Sequence, residues 1–320
     1  MKKKLWGISL AAALAIGLTA CGGSQETADT QPAAPSTTAA GTTMETENQT
    51  EAQDEESGDE GGEGGMTWDM AEEILTHIND PEFPDFTVNV LDFGAVADDD
   101  ELDTAAIQKA IDQVSEKGGG KVIIPEGTYD TGAITLKDNV NLCLEDKKTK
   151  LQFTQDINHD SYPLVYSHWE GQPMYNYSAF IYAKDAVNIA LTGQGTLDGQ
   201  AGDGTPWCWM SRDYMTDYQD DDRTALINMN NNRVPVEERI FGQGHFLRPN
   251  FIQVIGCENV LVEGITLVRS PMWEVNPVLC TNVTVRGIHI STKAANNDGI
   301  DPESSNVKPR GPGNHPAGSI

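Results

Sequence analysis

The sequence predicts an all-β solenoid, a parallel β-helix, with a short helix capping its N-terminal end. Two observations lead there. Asn259 to Leu267 matches Asn282 to Ile290 position by position, 23 residues apart. Within each copy apolar residues alternate and a Gly breaks the run, which reads as two short strands. Asn188-Ile189-Ala190-Leu191-Thr192-Gly193 opens the same way 71 residues before Asn259, about three periods. Asn306-Val307 opens another copy, 24 residues after Asn282.

One copy cannot bury its inward face, so copies must stack. Leucine-rich repeats share the period, but their Leu pattern and helical half are absent. Asn recurring at one turn is expected to stack as a hydrogen-bonded ladder along the coils. Cys257 and Cys280 hold equivalent positions in successive copies and read as small core residues rather than a disulfide.

The elements follow in order. Lys2 to Lys4 precede an apolar run, Leu5 to Leu18, that is short for a membrane span. Leu18-Thr19-Ala20-Cys21 then resembles the lipobox of bacterial lipoproteins, which makes residues 1–20 a signal peptide and Cys21 the lipidated N-terminus. The expected location is extracellular, anchored to a bacterial membrane by acyl chains. Residues 21–65 read as a disordered acidic tether, with eleven Asp or Glu and no Lys or Arg between Ser24 and Gly65.

The folded domain is expected over 66–320. Thr67 to His77 suggests a short helix, and Val88 to Phe93 alternates like a strand. Ile107, Ile111 and Val114 lie at helical spacing behind Asp103-Thr104, a credible N-cap, and Gly118 to Gly120 stops that helix. Lys121 to Pro125 resumes as a strand. Residues 202–246 break the rhythm and read as a polar insertion projecting as a loop. Within it Asp220-Asp221-Asp222 reads as a solvated charge run rather than a calcium site, and His245 as an ordinary loop residue.

The whole chain of 320 residues carries a formal net charge of −28, which argues against nucleic acid as a partner. The remaining cysteines, Cys143, Cys208, Cys257 and Cys280, have no spacing that suggests a metal site, and no cofactor is expected.

Candidate chemistry lies at Ala295-Asn296-Asn297-Asp298-Gly299-Ile300-Asp301, where two carboxylates sit three residues apart among Asn amides. Turns are rich in the same residues for backbone reasons alone. The stretch Asn296 to Ser304 resembles the Asn-x-Asp motif of the polygalacturonase-like glycoside hydrolases, family 28. Arg248-Pro249 and Ser270-Pro271-Met272-Trp273 stand at their expected places upstream, and Gly94-Ala95 with Asp103 to Ile111 resembles the start of such domains. The resemblance spans roughly 88–306.

That resemblance implies a right-handed β-helix that hydrolyses α-1,4-linked galacturonan with inversion. Asp298 is then the carboxylate on the water-activating side. Asn296 and Asp301 become substrate-binding, Asp301 orienting rather than catalytic. Trp273 supports a sugar or stands as a buried ladder aromatic. The family's Asp-Asp pair one coil later, its Gly-His-Gly and its Arg-x-Lys do not occur before Ile320, and Lys308 to Pro316 holds three Pro and two Gly. The expectation is a domain incomplete at its C-terminal end and inactive as written. The competing readings are a non-catalytic surface carbohydrate-binding protein on the same scaffold and a polysaccharide lyase.

Overall fold

Stacked strands in three parallel sheets, of six, five and four members, form the body of the protein. The computed structural model describes residues 79–209, 218–293 and 295–303, together with Met70, Glu73, Thr76 and His77. Cys21 and the expected signal and tether lie outside the described residues. Of the stretch read as Thr67 to His77, Met70, Glu73 and Thr76 are helical.

Each coil contributes three strands, one more than the repeat suggested. One coil runs Ile252–Ile255, Glu258–Glu263 and Thr266–Val268. The next runs Val275–Val278, Thr281–Arg286 and His289–Ser291. The extra strand escapes the periodicity because it is buried on both faces, so its outward Gln253 and Asn276 sit among apolar residues without alternating exposure.

The 71-residue offset is one coil, not three. Val187–Gly193 pairs directly with Glu258–Glu263. The intervening length holds the insertion, which extends the coil without breaking the ladder. The preceding coil is lengthened similarly, by the antiparallel hairpin Leu164–Trp169 and Gln172–Tyr177. Through both insertions the asparagines stay in line. Nδ2 of Asn188, Asn259 and Asn282 donates to Oδ1 of Asn139, Asn188 and Asn259 at 3.0, 2.9 and 3.0 Å.

Helix α1, Thr104–Glu116, caps the N-terminal end, with Ile107, Ile111 and Val114 wholly buried. Asp103 precedes it, but its carboxylate accepts the Val96 amide at 2.9 Å instead of capping the helix. The expected strand over Val88 to Phe93 ends at Asn89. There the Asn89 side chain accepts the Leu91 amide at 3.0 Å, and a 3-10 turn, Val90–Phe93, follows.

The insertion is more than a loop. It contains helix α2, Asp220–Asn231, whose first turn holds the three aspartates, where the helix dipole favours them. Asp222 is no solvated charge. Its carboxylate accepts the Phe246 amide at 2.6 Å and lies 2.7 Å from His245 Nδ1. Trp207 and Trp209 are buried, Trp207 edge-on to Tyr162 with centroids 5.0 Å apart.

Inside the coils Phe153, Phe180 and Phe251 cluster, with centroids 4.8 to 5.7 Å apart. Cys257 and Cys280 stack as buried free thiols, and Cys280 Sγ lies 3.2 Å from the Val254 carbonyl.

Candidate active site

The four-stranded sheet continues past Val278 into the motif stretch. Ile300 bridges Val275 and Glu303 bridges Val278, both in parallel. Asp301 donates its amide to the Val275 carbonyl at 2.9 Å. On the outer face of this sheet Gln253, Asn276 and Asp301 occupy one position in successive coils. Gln253 Nε2 donates to Asn276 Oδ1 at 2.7 Å, and Asn276 Nδ2 donates to the Asp301 carbonyl at 2.7 Å. This row is a continuous polar spine that fixes the height of the Asp301 strand.

The loop before it is held by Arg248, which is fully buried. Its guanidinium donates to Gln219 Oε1 at 2.9 Å, to the Pro271 carbonyl, to the Ala295 carbonyl at 2.8 Å and to Asn296 Oδ1 at 3.1 Å. Burial pulls its pKa down to about 10, which still leaves a cation at neutral pH. Asn297 Nδ2 ties the same loop to the Ser270 and Met272 carbonyls at 3.1 and 3.2 Å. A buried planar donor reading several carbonyls at once is a geometric clamp that Lys cannot reproduce.

Asp298 emerges from this clamped loop with its side chain exposed, while its carbonyl accepts the Glu274 amide at 3.0 Å. Asp301 is half-buried. Desolvation, then the charges of Asp298 and Glu303, push its carboxyl above the ordinary range, and its Oδ2 has no hydrogen-bond partner. Glu303 closes the group, with Oε2 2.7 Å from His168 Nδ1 and Oε1 accepting the Gly171 amide at 3.2 Å.

Asn296, Asp298 and Asp301 are therefore brought together on one loop and strand. Asn296 has its Oδ1 committed to Arg248 rather than open to a ligand. Trp273 lies one coil below, half-buried against the cluster of Trp169, Leu247 and Met272. Its indole nitrogen is buried without a hydrogen-bond partner among the described residues. Among the described residues no group of three or more His, Cys, Asp or Glu could hold a metal ion.

Sequence reading missed three features. It gave Arg248 no structural role. It passed over Glu303, which stands inside the quoted motif but whose partner, His168, lies in an insertion with no repeat to mark it. It also passed over Glu274, although a single acidic residue inside an otherwise apolar repeat position is a readable signal.

Comparisons with known proteins complete the description. Residues 87–234 match the family model for Rhamnogalacturonase A/epimerase, pectate lyase-like. A hyperthermoactive exopolygalacturonase from Thermotoga maritima superposes with a TM-score of 0.69 at 43% identity, covering 73% of this chain and 53% of that one. A probable polygalacturonase from Vitis vinifera is 26% identical over 229 residues, 68% of this chain and 40% of that protein. An exo-poly-alpha-D-galacturonosidase from Dickeya chrysanthemi is 32% identical over 117 residues, 35% of this chain and 19% of that protein. The chain thus spans about half of the Thermotoga protein and less of the others.

Proposed function

From the premise that this chain is a polygalacturonase-like protein of the right-handed, pectate-lyase-like β-helix type, we propose that it serves a hydrolase of pectin-type polysaccharide, with Asp298 on the water-activating side. The carrying observation is the Arg248 clamp. A fully buried guanidinium holds Ala295 and Asn296 so that the carboxylate two residues further on, Asp298, faces solvent. A fixed, exposed carboxylate on an outward loop of a rigid solenoid is suited to orient water beneath a sugar. Inversion needs a second carboxyl across that sugar, about 6.5–9.5 Å from the first.

The finer reading concerns residues 1–320 taken alone. They contain no Asp-Asp pair followed by Gly-His-Gly in the context that the resemblance implies. Without a placed general acid, hydrolysis slows by about 10²–10⁴-fold or more. Residues 1–320 are then expected to bind galacturonate oligosaccharides with little or no turnover. Purified chain and Asp298→Asn, each assayed for reducing ends and by calorimetry, test this. Specific binding with negligible turnover supports both statements. Turnover that vanishes in Asp298→Asn keeps the hydrolase and removes the inactivity. Absence of binding and turnover together sinks the reading, and an unsaturated product would make it a lyase.

Location belongs to the same proposal. Cys21, acylated after export, would hold the β-helix outside a bacterial membrane on the acidic stretch 24–65. If Cys21→Ala still fractionates with membranes and enters detergent, the anchor is elsewhere.

A further inference from the structure

Among the described residues, Glu274 is the one whose burial conflicts most with its chemistry. It has no solvent exposure, and neither carboxylate oxygen has a hydrogen-bond partner among the described residues. The register explains where it sits. Ile181 pairs with Ile252, and Ile252 with Val275, so Phe180, Phe251 and Glu274 hold the same corner of successive coils. Glu274 therefore continues a stack whose two lower members are phenylalanines, their centroids 5.3 Å apart. In the coil above, that corner is Gly299, which brings no side chain. At the same point the Glu274 amide donates to the Asp298 carbonyl at 3.0 Å.

We propose that Glu274 is a positioning residue for Asp298 that acts as a neutral carboxylic acid, so that the loop carrying Asp298 stays seated only while Glu274 keeps its proton. The physical ground is the cost of an ion without a partner. A neutral acid in an apolar corner costs the desolvation of one polar group, whereas its anion has no compensating charge there. The surroundings bear this out. From the coil below comes Phe251, and from the coil above the Asp298 and Gly299 backbone. The Thr292 hydroxyl approaches from the preceding corner, opposing the upward shift without making a hydrogen bond of good geometry. Asp298 is exposed, and Asp301 owes its own shift to desolvation and then to Asp298 and Glu303, not to Glu274. Among the described residues no charged group contributes to the shift of Glu274, and desolvation pushes its pKa up from 4.5 to about 8.

The sign follows from linkage. Glu274 loses its proton near 4.5 when unfolded and near 8 when folded. Stability from this group is therefore complete below 4.5, declines as pH rises through that window, and is lost above the folded value. The proposal does not depend on which polysaccharide is bound or whether any is cleaved.

The test is the full chain beside Glu274→Gln, which keeps the shape and cannot ionise. Thermal midpoints are followed from about pH 5 to about pH 8, with hydrogen exchange at 273–276 and 295–303. The wild type should lose on the order of 10 °C more than Glu274→Gln across that range. Its 295–303 amides should exchange at least about tenfold faster at the upper pH, while those of Glu274→Gln stay protected. Parallel midpoint curves overturn the proposal, as does a Glu274→Gln loop that is loose at every pH. Should that variant fold poorly, the infrared band of a protonated carboxyl in the wild type decides. Its presence at neutral pH and disappearance in the shape-matched Glu274→Met supports the neutral acid, and its absence overturns it.

Discussion

The imidazole Nδ1 of His168 lies 2.7 Å from Glu303 Oε2, across 135 residues of chain. Both side chains are largely buried, at 10% and 14% exposure. His168 belongs to the hairpin inserted between Thr149–Phe153 and Ile181–Lys184, several coils below, and its Nε2 meets the Tyr166 hydroxyl at 3.0 Å. Glu303 also accepts the Gly171 amide, so one carboxylate fastens the hairpin to the strand that carries Asp301.

Removing that carboxylate should loosen both partners. Glu303→Ala is expected to cost about 1–3 kcal/mol, because a buried ring nitrogen and an amide lose their acceptor. Urea unfolding measures the loss, and hydrogen exchange should rise in 164–177 as well as in 300–303. An effect confined to 300–303 would show that the hairpin is held by its packing alone.

The asparagine ladder separates two roles of one residue. Asn188 has φ of 53°, in the left-handed region, and it both donates to Asn139 and accepts from Asn259. Alanine loses the bonds and adds backbone strain of about 1–2 kcal/mol. Glycine loses the same bonds but adopts that backbone freely. Stability should fall in the order Asn, Gly, Ala. If Gly and Ala are equal by thermal unfolding, the side-chain ladder rather than the backbone requires Asn here.

This ladder also shows what was legible in the sequence. Asn259 and Asn282 announced the coil because nothing intervenes between them. Asn188 announced it at a misleading distance, since an inserted helix lengthens a coil without altering its register. The third strand of each coil was invisible for a different reason. Gln253 and Asn276 look like polar interruptions, yet they are buried because the hairpin covers the outer face. Asp298 and Asp301 were found through the motif. Arg248 and Glu303 act through partners far along the chain, and no local pattern records such contacts.

Arg248 should prove harder to replace than any exposed residue of the site. Arg248→Lys keeps the charge but cannot span the Gln219, Pro271, Ala295 and Asn296 acceptors together. A loss of about 2–4 kcal/mol is expected for leaving several buried acceptors unpaired. The loop 295–298 should become accessible to proteolysis before global unfolding. A Lys variant as stable and as protected as wild type would show that charge, not the planar fork, holds the loop.

Three glycines test how closely the coils approach. Gly193 ends its strand, Gly264 and Gly287 follow theirs, and the three hold the same corner in successive coils. All three have positive φ, at 118°, 78° and 63°, so each Ala substitution brings some strain. Their surroundings differ. A Cβ on Gly193 would lie 2.0 Å from the Leu144 carbonyl oxygen, and one on Gly264 would lie 2.4 Å from the Gly193 carbonyl oxygen. On Gly287 the nearest atom would be 3.9 Å away. At Gly193 and Gly264 the opposing backbone cannot withdraw without breaking ladder bonds in two coils at once. Gly287→Ala should therefore show the strain alone, about 1–2 kcal/mol. Gly264→Ala and Gly193→Ala should each cost more than about 3 kcal/mol, with Gly193→Ala the worst because its clash is closest and its φ fits Ala least. Urea midpoints for the three variants give the order directly. Equal losses would mean that φ sets the cost, and that the coils can part by the ångström or so that a methyl group requires.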